Sequence, residues 1–434
     1  MAGLLYTFYG DDFTGSTDVL EQLALGGVRG ALFLTAPTSE DLERLPGLQA
    51  IGVAGDSRSQ TPEWMSTELP PIFTALRRLG APVLHYKVCS TFDSSPRRGS
   101  IGRALEIGLE VFGCRYAPIV VGAPYLQRFV MEGRLFALDA DGVVRRIDRH
   151  TMSRHPATPM REERLVRHLA EQTDLPIGEV PQTHDAQQLA AIVETRMTAG
   201  CRAVLFDTVD VQDLEQCGHV IWTEAERQNL FGVGSSGFTA ALISAWQSKG
   251  LVKLPAERAA RGRITKAAGP LLVISGSCSA ATERQVRWAL AHGFYGVKID
   301  AEKLMEASES QNTSLVERVS GALDQQQNVV AYTALGTPAK AAHGDELGEA
   351  LGVVLKQILE RTGIRRVLVC GGDTSSQAVR QLGLRALTWK RNLQRGVPLC
   401  RAYADGSLDG LEIALKGGQM GTADFFAIVR DAEG

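Results

Sequence analysis

Two adjacent carboxylates, Asp11 and Asp12, follow the apolar run LLYTFY and open a helix-like pattern in the stretch YGDDFTGSTDVLEQL, residues 9–23. A carboxylate at the mouth of a strand can hold a hydroxyl, accept its proton as it attacks, or hold a Mg²⁺ ion that neutralises phosphate charge. Asp12 is the expected catalytic base, with Asp11 beside it. Asp18, one helical turn further on, reads as a solvated or capping residue. Two cations, Arg58 in DSRSQ and Lys87 in HYKVCSTFDSS, each come just after an apolar run and are followed by hydroxyls, Ser90 among them. Such heads can grip a carboxylate substrate, Arg58 bidentately and Lys87 as a point charge, although most Lys and Arg are surface charges with buried stems.

A second kind of chemistry lies in three loops of one layout: FYGDDFTGSTDVLEQL, LLVISGSCSAATERQVRWAL and VLVCGGDTSSQAVRQL. In each, an apolar strand ends in Gly, Ser, Thr or Asp and a helix starts at once. That position in an open α/β sheet is where ligands usually sit, and a helix N-terminus offers free N–H groups to an anion. The same residues are also ordinary N-caps and turn formers. Three such loops together, with LKGGQMGTADFF as a fourth glycine-rich turn, favour a nucleotide site, where glycines at 371, 372, 417, 418 and 421 let backbone approach phosphates.

Other signatures fail. G-x-x-x-x-G-K-[ST] is absent. GVGSSG at 232–237 satisfies G-x-G-x-x-G, but the run before it, WTEAERQNLF, reads as helix or loop, so a nicotinamide dehydrogenase is disfavoured. No G-x-S-x-G nucleophile elbow occurs. His85, His150, His155 and His184 share no metal-ligand spacing and receive no chemistry, and the metal ligands stay unknown.

The elements that must position these residues alternate short apolar runs with amphipathic ones, which reads as α/β with largely parallel sheets. A length of 434 residues suits two domains. A basic, Pro/Gly-bearing stretch near 252–268 is the expected boundary, giving domains 1–255 and 265–434, and a helix is expected over 161–172. With 46 basic and 49 acidic residues and no Lys/Arg block, neither a nucleic-acid nor a membrane surface is indicated, and a small-molecule partner is expected. Seven scattered cysteines without C-x-x-C, no signal-like start and no span-length apolar run point to a cytoplasmic protein. The oligomeric state is open, a homo-oligomer included.

GDDFTGSTDV, GGDTSSQAV and LKGGQMGTADFF, in this order and spacing, resemble the four-carbon acid sugar kinase family, whose wording is close to DDFTGA.D, GGETS and LK.GN.G..DFF. The resemblance implies an N-terminal α/β domain binding a small sugar acid, a C-terminal α/β domain binding ATP, and an inter-domain cleft where an ATP-dependent kinase reaction takes place, with Mg²⁺ expected. Carried over by position, it puts Asp11, Asp12, Arg58 and Lys87, with Ser90, on the substrate side. It puts Ser275, Ser277, Gly371, Gly372, Asp373, Thr374, Ser375, Gly418 and Gly421 around the nucleotide. One departure concerns substrate: where tetronate-acting members read K.DSTLRGN, this chain has KVCSTFDSSPRRGS, with Asp93 in the arginine position and Arg97, Arg98 or Arg103 as candidate replacements. The segment DRHTMSRHPATPM resembles a subset that acts on branched acids such as 3-oxo-isoapionate; threonate, erythronate and 3-oxo-tetronate are the other acids implied. A non-catalytic sensor on the same fold would keep the glycines and cations without needing Asp11 and Asp12.

Overall fold

A computed structural model describes residues 3–139, 141–154, 158–254, 269–306, 312–335 and 344–432. The chain forms two compact units, one of Met1–Gly30 with Ala36–Leu254, the other of Ala31–Thr35 with Pro255–Gly434. Most of the expected boundary, residues 255–268, lies outside the described residues, as does His155. A division at 255–265 leaves residues 31–35 in the first half, whereas the structure places them in the second unit. Residues 31–33 belong to the strand Gly30–Phe33, which is antiparallel to a strand about 355 residues further along the chain, with Leu32 opposite Leu387. Pairing across that separation leaves no local trace in the sequence.

The strands, in chain order, are β1 Tyr6–Gly10, β2 Gly30–Phe33, β3 Ala50–Ala54, β4 Val83–Lys87, β5 Ala117–Val120, β6 Arg128–Met131, β7 Arg134–Leu138, β8 Val144–Arg146, β9 Ile177–Val180, β10 Ala203–Phe206, β11 Leu230–Gly234, β12 Leu272–Ser275, β13 Tyr295–Lys298, β14 Val329–Tyr332, β15 Arg366–Cys370, β16 Leu384–Gln394, β17 Val397–Ala404 and β18 Glu412–Lys416. In the first unit the order β3-β1-β4-β11-β5-β10-β9 is parallel throughout. β1 is buried at every residue, as a strand covered by helices on both faces must be. Register aligns the strand ends: Gly10 pairs with both Ala54 and Lys87, and Gly234 with Lys87. The residues following these strands therefore emerge together. β6, β7 and β8 form a small antiparallel sheet of their own.

In the second unit β13-β14-β12-β15-β18 run parallel, with Ser275 opposite Cys370 and Cys370 opposite Lys416. A long hairpin, β16 and β17, adds antiparallel strands beside β18. The core beneath these strands gathers Val273, Val330, Leu368, Ala414, Phe425 and Phe426. The hairpin is absent from the sequence reading; its Arg395-Gly396 turn, with Gly396 at φ +79°, was the available signal. The helix expected over 161–172 is shorter, Leu165–Ala170.

Candidate active site

In the first unit the site is built at the ends of β1, β3, β4 and β11. Asp12 caps the helix Phe13–Leu25: its Oδ1 accepts the Gly15 N–H at 2.7 Å, satisfying one of the free donors of the first turn. Asp11 is tied to β4, its N–H donating to the Lys87 carbonyl at 2.9 Å. Arg58 sits in the single turn Ser57–Ser59 that follows β3. Its Nε and Nη2 donate to the two oxygens of Asp11 at 3.2 and 3.1 Å, and its Nη1 lies 3.1 Å from Asp12 Oδ2. The expectation that the Arg58 fork grips a substrate carboxylate is thereby corrected: the fork is already filled by the two aspartates.

Lys87 is the cation left available. It is 2% exposed, and among the described residues its ammonium makes no hydrogen bond. Its Nζ packs so closely over Gly15 that a Cβ there would stand 2.7 Å away, so any other residue at 15 would push the cation aside. Ser90 lies partly exposed in the turn beyond β4.

Charge and burial set the protonation of the cluster. Burial pushes Asp11 up to about 6, against Arg58, while the neighbouring charge of Asp12 adds to the rise. For Arg58, burial acts downward and is outweighed by Asp11, Asp12 and Asp93, which hold it charged. Asp18 is not the solvated residue expected: among the described residues its enclosed Oδ1 has no hydrogen-bond partner, and burial raises its pKa against Lys87 and the Ser236 hydroxyl.

Asp93 is 4% exposed. Thr91 Oγ1 donates to it at 2.6 Å and Thr158 Oγ1 at 3.3 Å. The suggested compensation from nearby arginines does not occur: Arg97 and Arg98 are exposed, and Arg103 is bound to Glu106 at 2.7 Å and to Ser66. Among the described residues, two hydroxyls and the field of Arg58 act on the carboxylate.

The GVGSSG reading is also corrected. Gly232 and Gly234 lie in β11, and the helix Ser236–Ser248 follows at once, so a strand does precede this helix. The glycines are used in packing: a Cβ on Gly237 would stand 1.9 Å from the Gly122 carbonyl oxygen.

In the second unit three loops leave the adjacent strands β12, β15 and β18. Ser279 caps the helix Ala280–Ala291, and its hydroxyl donates to the Gly418 carbonyl, joining the first loop to the third. Ser277 approaches Gly418 so tightly that a Cβ there would meet its Oγ at 2.8 Å. Ser275 is buried, with an Oγ that has no hydrogen-bond partner among the described residues. Gly371 adopts φ +120°, ψ +130°, a conformation essentially confined to glycine, and its N–H donates to the Lys416 carbonyl at 2.9 Å. The helix Gly372–Gln381 follows; Gly372, Asp373 and Thr374 form its first turn, and the Ser375 hydroxyl turns back to Val369 O at 3.3 Å. Gly421, at φ +94°, closes the third loop.

Lys416 is the residue the sequence reading missed. Fully buried at the end of β18, its Nζ donates to Thr282 Oγ1 at 3.0 Å and to the carbonyls of Gly417 and Met420 at 3.1 Å each. Burial lowers its pKa. The signal was present, since a lysine closing an apolar strand is what drew attention to Lys87.

Comparison with known proteins gives this arrangement a context. A sugar-binding N-terminal domain model matches residues 6–242, and a nucleotide-binding C-terminal domain model matches residues 272–426. A Paraburkholderia graminis protein named 3-oxo-isoapionate kinase is 41% identical, the match covering 99% of this chain and 95% of that protein. A Methylobacterium radiotolerans protein named 3-oxo-tetronate kinase is 31% identical, covering 97% of each. A solved Salmonella typhimurium structure described as a putative tRNA synthase superposes with a TM-score of 0.79 at 23% identity, covering 99% of each chain, a likeness of fold alone. By its two domain matches and these full-length relatives, the chain belongs to the four-carbon acid sugar kinase family.

Proposed function

We propose that this protein transfers the terminal phosphoryl group of ATP to a hydroxyl of a small sugar acid, and that its acid is the branched 3-oxo-isoapionate. The observation that carries the reaction class is the cluster at the ends of β1, β3 and β4, where Asp11, Asp12 and Arg58 interlock beside a buried Lys87. Lys87, with no hydrogen bond of its own among the described residues, takes the substrate carboxylate. Asp12, held by Gly15 N–H and Arg58, accepts the proton of the attacking hydroxyl, and Asp11 keeps Arg58 in place.

The second unit binds the nucleotide. Its residues fit phosphate: a buried Ser275 hydroxyl with no partner among the described residues, the glycine-only backbone at 371 and the start of the helix at 372 all lie at the ends of neighbouring parallel strands. ATP supplies the phosphoryl group. Since Asp11 and Asp12 already share Arg58, Mg²⁺ would be carried by the phosphates rather than by a protein cage.

The substrate choice rests on the 41%-identical relative named 3-oxo-isoapionate kinase and on Asp93. A buried carboxylate held by two threonines accepts hydrogen bonds and repels acids, so it suits a hydroxyl-bearing branch. The test is ADP release from Mg²⁺-ATP with 3-oxo-isoapionate, 3-oxo-tetronate, threonate and erythronate in turn. Fastest turnover with 3-oxo-isoapionate is expected; preference for an unbranched acid overturns the substrate assignment, and ATP binding without turnover on any acid favours the sensor.

A further inference from the structure

His184, isolated in the sequence from any metal-ligand spacing, is brought by the fold beside two carboxylates. β9 and β10 are parallel neighbours, so the loops that leave them are adjacent. The first carries His184. The second carries Asp210 and Asp213, which open the helix Val211–Ala225.

The two aspartates are fixed by a reciprocal cap. Asp210 Oδ1 accepts the Asp213 N–H at 2.9 Å, while Asp213 Oδ2 accepts the N–H groups of Val209 and Asp210 at 2.8 and 3.1 Å. Each carboxylate thus spends one oxygen on backbone and turns the other toward His184. Asp210 Oδ2 and Asp213 Oδ1 each lie 3.4 Å from His184 Nε2. Asp213 is 2% exposed, and among the described residues its Oδ1 has no hydrogen-bond partner. A buried carboxylate oxygen left in that state costs stability unless something fills it.

The spacing is wrong for a hydrogen bond and right for a shared ion. N–H···O contacts cluster near 2.9–3.0 Å. In a tetrahedral zinc site with metal–donor bonds of about 2.0–2.1 Å, neighbouring donor atoms stand about 3.3–3.4 Å apart. Here the three donor atoms all lie within 4.8 Å of one another. A helix N-terminus by itself repels a cation, but two carboxylates with a neutral imidazole bring two negative charges, enough to outweigh the dipole's half charge.

We propose that His184 Nε2, Asp210 Oδ2 and Asp213 Oδ1 bind a divalent transition metal of the zinc class, with the fourth position open to water. One imidazole among the donors selects against Mg²⁺ and Ca²⁺, which prefer all-oxygen shells. The ion pins β9, the last strand in the first unit's order, to its neighbour β10 through the loops that follow them. This site uses none of the residues assigned to phosphoryl transfer and does not rest on that assignment.

Calorimetric titration of the metal-free, full-length protein with ZnCl₂ tests it, with Co²⁺ as a spectroscopic probe. One equivalent of Zn²⁺ is expected, with at least a tenfold loss of affinity in His184→Ala. That variant removes a half-exposed side chain and leaves the cap of the helix intact. Bound Co²⁺ should show tetrahedral visible bands without thiolate charge-transfer absorption, which separates this site from the seven free cysteines. No zinc binding by the wild-type protein, binding undiminished in His184→Ala, or a thiolate signature each overturns the proposal.

Discussion

Asp12 and Asp11 stand next to each other in the chain yet have different surroundings, since one faces a helix start and the other is buried against Lys87 and Arg58. Asp12→Asn keeps a side chain that can still accept from Gly15 N–H, so the fold should survive while turnover falls about 10²–10⁴-fold, the usual range for losing a general base. ATP affinity measured by calorimetry should stay within about twofold; a parallel loss of ATP binding would contradict the division of labour between the two units. Asp11 gives a pH signature. Its folded pKa of about 6 lies above its ordinary value of 3.8, so the folded state holds the proton longer than the unfolded chain. The sign follows: this group favours the fold at low pH, and the benefit is lost as pH rises through about 6. Activity should run the other way, since the Arg58 fork needs an ionised Asp11. The profile of kcat/KM should therefore show an acid limb near pH 6, and Asp11→Asn should remove that limb; an unmoved limb would assign it to another group.

At the level of elements, three residues of the second unit's loops, Gly371, Gly372 and Lys416, can be tested separately. Gly371 and Gly372 were readable as a glycine pair between strand and helix, but only the structure separates them. Gly371 sits at φ +120°, whereas Gly372 has nothing within 4 Å of a would-be Cβ. Gly371→Ala should destabilise the protein by about 1–3 kcal/mol in urea unfolding. Gly372→Ala should leave stability unchanged or improved, so any loss of ATP affinity in that variant reports contact with the ligand. Lys416 carried the same signal as Lys87, a lysine closing an apolar strand, but its partners, Thr282 and the carbonyls of Gly417 and Met420, come together around it only in the fold. Lys416→Met should loosen the Gly417–Met420 turn and raise the ATP Kd at least about tenfold, equivalent to about 1.4 kcal/mol, with no matching change in affinity for the sugar acid. The alternation of apolar strands with capped helices was legible because period and punctuation are local properties. The β16–β17 hairpin was marked only by its Arg395-Gly396 turn, and the pairing of β2 with β16 and the true start of β11 were not legible, since partner strands override local pattern.

For the molecule as a whole, the order of motifs along 434 residues carried the family, while the interior of the site had to be seen. Asp11, Asp12, Arg58 and Lys87 were all picked from strand ends, and register brings them together as expected. Their roles changed on meeting: Arg58 binds aspartates, Asp18 is enclosed, and Asp93 is sheltered by threonines without the arginines suggested for it. In the proposed reading, substrate preference is where these details act together, with Lys87 on the carboxylate and Asp93 on the branch. The most direct test is a competition in which wild-type protein and Mg²⁺-ATP act on equal amounts of 3-oxo-isoapionate and 3-oxo-tetronate, with both phosphorylated products quantified. The phosphorylated branched acid is expected to dominate at least tenfold, in keeping with the substrate assignment. Equal products, or an excess of the unbranched one, would contradict it.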